Sequence, residues 1–269
     1  WKENLAERFD RLIAGGEAKP AILVIVDPFT RYGGSQYVNS PGTGLYEDYV
    51  ALEIVPYVDS KFATRPDRRH RAIFGKSSGG FGAFWLGSRH PGVFGHLWSH
   101  SGDVGWGESY GREFPVCVNR LAMYGGRFSE FLDAFNRTPA RKRGELPHEL
   151  VMIAGMCSCY SPNPRSPLGF DLPFDERTAE RVAPVWRRWT AFDPLTWAPK
   201  RASALRSLET FVFDCGRKDE FFLHLGSRVL SRELKRLGVK HRYEEHDFGH
   251  MDMADRYDES LVRLSRACS

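Results

Sequence analysis

Apolar and polar positions run along this chain in two rhythms, and the switches between them predict its elements. WKENLAERFDRLIAGG sets apolar side chains at helical spacing and stops at a glycine pair, which predicts a helix. AILVIV, residues 21–26, is an unbroken apolar run of strand length and predicts a buried strand. After the polar, glycine-rich RYGGSQYVNSPGTG, Leu45, Tyr49, Leu52, Val55 and Phe62 fall on one helix face that Pro56 should bend. RAIF, FGHLWSH, VMIAG, ETFVFD and VKHRYEEH read as further strands. Leu230, Leu234 and Leu237 mark a helix closed by Gly238, and a terminal helix follows the last strand. Strand-length runs alternating with helical patterns give the α/β class, with a mostly parallel central sheet and helices on both faces.

Residues 105 to about 197 break that alternation. They are rich in aromatics and contain the proline-rich SPNPRSPLGFDLPFD, and they join two strands that a short crossover would connect. The expectation is one domain, residues 1–269, with an inserted cap over the carboxyl ends of the strands, where open α/β sheets bind ligands. Most of the aromatics should hold the insertion together. Trp106, close behind the SGD that follows FGHLWSH, is the one expected to touch substrate.

Composition narrows the class without naming a chemistry. A chain of 269 residues that is 42% hydrophobic can bury one sizeable core. A net charge of +4, from 38 basic and 34 acidic residues, calls for neither nucleic acid nor an anionic membrane, and the basic RTPARKRGE reads as a solvated loop. No apolar run has the length to span a bilayer, and no charged leader with an apolar stretch opens the chain. Five scattered cysteines suit free, mostly buried thiols in a reducing compartment, so the expected location is cytoplasmic. Cys157 and Cys159 form a CxC, which lacks the paired ligand spacing of a zinc site.

The chemistry concentrates at RAIFGKSSGGFGAFWLG, residues 71–87, where two serines stand among glycines. A nucleophile elbow turns sharply from strand to helix, so the positions two before and two after its serine must be small. Ser77 has Gly75 and Gly79 there, whereas Ser78 has Lys76 and Gly80, and a lysine would crowd the turn. A Walker phosphate loop is excluded, because the glycine required earlier in GxxxxGK[ST] is absent. A serine hydroxyl needs a base to take its proton and a third group to orient that base. In α/β hydrolases the order along the chain is Ser, then Asp or Glu, then His. Asp219, just beyond ETFVFD, and His250, in the loop beyond VKHRYEEH, satisfy the order. Asp214 lies within its strand and should bond locally, and His246 sits at a strand end, which leaves Asp219 and His250 preferred. HDFGH with Asp252 lacks the helix spacing and glutamate base of an HExxH metal site, so no metal and no cofactor are expected.

GKSSGGFGAFWLGSRHPGVFGHLWSHSGD, GGSQYVNSPGTGLYEDYVALEIVPYVDSKF, DCGRKDEF and FGHMDM together resemble the putative-esterase branch of the α/β-hydrolase superfamily. That branch includes S-formylglutathione hydrolases, feruloyl and acetyl-xylan esterases, siderophore esterases and mycolyltransferases. The resemblance covers most of the chain apart from the insertion. It implies an α/β-hydrolase fold and a serine carboxylic-ester hydrolase working through an acyl-enzyme on a small-molecule ester. Ser77 would be nucleophile, Asp219 acid and His250 base, with the Ser78 backbone N–H donating to the oxyanion. Relatives of this kind begin with a strand and an HG-type loop that supplies a second oxyanion donor, and this chain starts downstream of it. A strand upstream of residue 1 is therefore expected. Acyl transfer to an alcohol or sugar, and a non-catalytic binding module of the same fold, are the alternatives. They part on the identity of the acceptor and on the turnover of simple esters.

Overall fold

Four parallel strands organise the computed structural model, which describes residues 3–269. In chain order they are β1 (Ala72–Lys76), β2 (His96–His100), β3 (Thr210–Gly216) and β4 (Arg242–His246), and they lie side by side in that same order. Lys76 pairs with His100, His100 with Asp214, and Asp214 with Glu244, so the carboxyl ends of all four strands meet at one rim. Successive side chains of a strand point to opposite faces, and both faces are used. Ile73, Leu97, Phe211 and Phe213 enter the main core beside the helices α2 (Ser78–Arg89) and α4 (Leu223–Arg236). Their neighbours Ala72, Phe74, Trp98 and Val212, one step out of phase, face α1 (Leu5–Ala14) and α5 (Arg256–Ala267) through Phe9, Leu12, Leu261 and Leu264. This is the α/β sheet, covered on both faces, that the alternation predicts. Every residue of β2 is buried, while β1 and β4 at the two edges are half-buried throughout.

α1 starts where a helix of this sequence should. Asn4 caps it, its side chain accepting the Glu7 N–H while the Glu7 carboxylate accepts the Asn4 N–H, and Gly15 ends it. Trp1 and Lys2 of the expected helix lie outside the described residues.

Three expectations fail for physical reasons. AILVIV forms no strand: residues 21–26 have irregular backbone, with Ile22, Val24 and Ile25 exposed at 48%, 43% and 66%. Strand propensity places side chains, but a strand's backbone hydrogen bonds come from a neighbour, and none of the four sheet strands pairs with this segment. VMIAG lies inside a helix, α3 (His148–Tyr160), because the apolar run HELVMIAGMCSCY is long enough to bury a helix on most sides. The third failure is the helix face of residues 45–62. There Tyr46–Asp48 is α-helical, Tyr49–Ile54 is π-helical and Val55–Lys61 is α-helical again, with the Val55 N–H reaching Val50 O. The wide turn just ahead of Pro56 accommodates its missing N–H and rotates the helix, so Leu45, Leu52 and Phe62 end more than half exposed. Glu47, Val50 and Ala51 go inside instead. Glu47 is drawn in by Trp85 Nε1 (2.8 Å), Arg89 Nε (2.8 Å) and His90 Nε2 (2.9 Å). Burial alone would raise its carboxyl, but those three partners hold it down at about 2.

Between β2 and β3 the chain adds helices Tyr110–Leu121, Phe128–Arg137, α3 and Ala183–Thr190, whose aromatics, Phe114, Phe128, Phe131 and Trp189 among them, extend the main core. The basic RTPARKRGE becomes a short 3₁₀ turn, Ala140–Glu145, with no buried residue. All five cysteines are free, and Cys157 and Cys159 are buried in α3. Among the described residues no cluster of three or more His, Cys, Asp or Glu side chains could hold a metal, and no helix is long and apolar enough to cross a membrane.

Candidate active site

β1 ends at Lys76, α2 begins at Ser78, and Ser77 is the single residue between them. Its backbone sits at φ 55°, ψ −123°, a region in which L side chains are strained and which sharp functional turns exploit. The turn is tight enough to exclude a methyl group at Gly75: a Cβ there would lie 2.6 Å from the carbonyl carbon and oxygen of Gly79. A Cβ on Gly79 itself would meet only the Tyr37 hydroxyl, at 3.8 Å. The spacing argument thus holds for Gly75 through the backbone of Gly79, and a methyl group would fit at Gly79. The Ser77 N–H donates to His100 O (2.9 Å), which ties the turn to the end of β2. Ser78 opens α2, so its N–H is one of those a helix leaves without an internal acceptor, at the positive end of the helix dipole.

Asp219 and His250 arrive from the loops after β3 and β4, at the same rim. His250 Nδ1 and Asp219 Oδ2 are 2.7 Å apart, with both side chains almost fully buried. Burial would raise the Asp219 carboxyl, but the His250 hydrogen bond and charge outweigh it, with help from the Phe221 and Leu223 N–H groups, and hold it below its ordinary value. The Phe221 and His250 rings pack in a T-shaped pair, 4.9 Å between centroids. Among the described residues no hydrogen bond joins the Ser77 hydroxyl to His250; in sites without substrate this contact is often long and tightens around the reacting group.

The rejected candidates have other partners. Asp214 accepts from Trp98 Nε1 (2.9 Å) and bonds His100 Nδ1 (3.0 Å) on the α5 face of the sheet. His246 stacks on Phe248 at 5.4 Å. Trp106 needs a correction: its indole has no exposed surface and is enclosed by Phe81, Tyr110 and Tyr160 at 4.7 to 5.7 Å. It walls the core beneath the rim and offers no face to a ligand.

Several residues at the rim carried no signal strong enough to single them out in the sequence. Gln36 and Tyr37 both adopt positive φ, 54° and 55°, in the loop RYGGSQYVNSPGTG, and the Gln36 amide donates to Ser78 Oγ at 3.0 Å. Asp103, from the SGD turn, accepts the Tyr110 hydroxyl at 2.7 Å and lies beside Ser78 and within the field of His250. Burial lifts its carboxyl from 3.8 to about 6, against the pull of Tyr110 and His250. Glu220, next to Asp219, accepts the backbone N–H of His250 at 2.6 Å. Consecutive positive φ at non-glycine residues leaves no mark in composition, and a lone acidic residue beside a loop is common. Adjacency to Asp219 was the one available clue to Glu220.

The comparisons with known proteins agree with this architecture. A 31% identical stretch of 87 residues matches an endo-1,4-beta-xylanase/feruloyl esterase of Xylanibacter ruminicola, covering 32% of this chain and 12% of that protein's length. Among solved structures, a ferulic acid esterase superposes with a TM-score of 0.57 at 23% identity, over 99% of this chain and 81% of its own. MPT51 of Mycobacterium tuberculosis gives 0.54 at 15% identity, over 88% and 76%. An S-formylglutathione hydrolase from Agrobacterium tumefaciens gives 0.50 at 15%, over 99% and 79%. At these identities the structural likenesses speak for the fold. The family model described as "Putative esterase" matches residues 2–262, nearly the whole chain, and this protein belongs to that family of α/β-hydrolase fold.

Proposed function

We propose that this protein is a serine carboxylic-ester hydrolase whose nucleophile is Ser77. In this reading His250 Nε2 takes the Ser77 proton as Oγ bonds to the ester carbonyl carbon, and the carbonyl oxygen becomes an oxyanion facing the Ser78 N–H. Collapse of that intermediate breaks the bond to the alcohol oxygen, which leaves with the proton held by His250. Water then repeats the sequence on the acyl-Ser77 ester and releases the acid. Asp219 fixes the imidazole with Nδ1–H toward itself and stabilises its protonated form. The observation that carries the reading is the buried 2.7 Å bond between His250 and Asp219, at the same rim as a serine held at positive φ on a strand-to-helix turn. The family and the names of two relatives support an ester as substrate, and those names make a feruloyl ester the first specific candidate.

A fluorophosphonate probe tests the nucleophile. Wild-type protein should gain the mass of one probe less the HF that leaves on phosphonylation, and should hydrolyse p-nitrophenyl acetate. Ser77→Ala should take up no probe and lose at least about 10⁴-fold in kcat. A folded wild type that neither labels nor turns over the ester would favour the binding-module alternative.

A further inference from the structure

We infer that Glu220 is a positioning residue for the catalytic base, holding the backbone of the loop that carries His250; this rests on the assignment of His250 above. Residues 247–255, between β4 and α5, contain no helix or strand, so no ladder fixes His250 in place. What grips this loop is the one after β3, in three steps that advance along both segments. The Arg217 N–H donates to His246 O (2.8 Å), the Lys218 N–H donates to Phe248 O (3.2 Å), and the Glu220 carboxylate accepts the His250 N–H (2.6 Å). The first two are backbone contacts that many sequences could make. The third depends on one side chain, and it acts on the residue whose imidazole must swing least.

Adjacent residues therefore hold the same histidine twice, Asp219 by its ring and Glu220 by its backbone. Glu220 is itself anchored, since Arg112 Nη1 donates to its carbonyl oxygen at 2.7 Å. Lys76, the last residue of β1, adds a cation in the field of Asp219, Glu220 and Asp252. The sequence makes room for the carboxylate at Gly249. A Cβ on Gly249 would lie 2.5 Å from Glu220 Oε1 and 3.1 Å from its Cδ, so any side chain there must push the carboxylate away. Gly249 and Glu220 form one device: the missing methyl group is the seat of the carboxylate.

The test is a double-mutant cycle on p-nitrophenyl acetate hydrolysis, with kcat and KM measured separately. Because a loosened base misaligns the reaction without touching the substrate site, Glu220→Ala should lower kcat about ten- to hundredfold and leave KM within about twofold. Glu220→Gln, which keeps an oxygen to accept the His250 N–H, should restore most of the rate. Gly249→Ala alone should reproduce the loss by displacing the carboxylate, yet change the Glu220→Ala protein by less than about twofold. A Glu220→Ala enzyme with kcat within about twofold of wild type overturns the inference, and so do losses from Gly249→Ala and Glu220→Ala that simply multiply. Should Glu220→Ala fail to fold, Gly249→Ala at the wild-type rate overturns it equally. A wild type inert to both ester and fluorophosphonate overturns the triad assignment and the clamp together, whereas an active wild type with an indifferent Glu220 removes the clamp alone.

Discussion

An aspartate hydrogen-bonded to a histidine occurs twice at this sheet, once with a serine bonded to the histidine and once without, and the two sets differ in their setting. At the rim, Asp219 holds His250 on the side of the sheet where Ser77 turns into α2. Behind it, on the α5 face, Asp214 holds His100 at 3.0 Å, and His100 Nε2 lies 3.0 Å from the hydroxyl of Ser260. The second set is hydrogen-bonded along its whole length, and the rim set is not. Completeness is the mark of the structural set. Ser260 has no exposure, lies within α5 and spends a hydrogen bond on Tyr257 O (3.2 Å), with neither a strained turn nor a free helix N-terminus beside it. Asp214 also serves Trp98 Nε1 and stands 3.6 Å from Arg256. Three residue types in relay order pin a helix to a sheet in one place. In the other, Asp219 and His250 stand at the rim where Ser77 turns from β1 into α2, and it is on that setting that the proposed hydrolase rests.

The comparison breaks most decisively at the two aspartates. Asp219→Ala should reduce kcat on p-nitrophenyl acetate by about 10⁴-fold, as loss of the orienting carboxylate does in a serine triad. Asp214→Ala should instead leave the rate per folded molecule nearly intact and lower the unfolding free energy by about 3–5 kcal/mol in a urea titration. It strips a buried imidazole, an indole N–H and a nearby guanidinium of their shared acceptor. Reversed results, with activity tracking Asp214, would move the catalytic centre to the wrong face of the sheet. A smaller effect separates the serines. Ser260→Ala should label with fluorophosphonate as wild type does, and unfold more easily by about 1–3 kcal/mol because His100 Nε2 is left buried without its partner.

How far the two sets could be told apart from sequence alone depends on chain geometry. β1, β2, β3 and β4 were legible because their apolar runs are bounded by turn residues and each strand finds a neighbour. Parallel strands put all their carboxyl ends on one rim, so residues past strand ends, Ser77, Asp219 and His250, could be assigned to that rim without coordinates. Asp214, two residues inside the end of β3 and in phase with Val212, had to point to the α5 face, where its partners Trp98 and His100 come from the neighbouring strand and not from nearby in the chain. What stayed hidden depends on contacts rather than on period. AILVIV carries the pattern of a strand and lacks a partner. VMIAG carries the pattern of a strand and belongs to a longer buried helix. Trp106 follows the right turn and then folds inward among other aromatics. Gln36, Asp103 and Glu220 reach the rim through loop conformations that no spacing rule encodes.

Asp103 sharpens the comparison with the weakest expected effect, because it is a buried carboxylate with no imidazole of its own. Asp214 and Asp219 are both held below their ordinary values, since each is bonded to a histidine. Asp103 has only two hydroxyls, of Tyr110 and Ser78, and the more distant charge of His250 to set against burial, and its carboxyl rises from 3.8 to about 6. Between those two values the folded protein binds a proton that the unfolded chain has released, so this group's contribution to stability falls as pH rises from 3.8 through about 6 and stays lost above it. Asp103→Asn keeps an acceptor for Tyr110 and removes the charge. Urea titrations should therefore find the variant more stable than wild type by on the order of 1–3 kcal/mol at pH values above about 7, with the gain fading to nothing below about pH 4. The same titrations on Asp219→Asn should show the opposite slope, a loss at neutral pH that shrinks on acidification, because the folded state lowers that carboxyl instead of raising it. A gain from Asp103→Asn that does not change with pH would mean that packing and not charge sets its energy. The histidine would then no longer be what distinguishes the three aspartates.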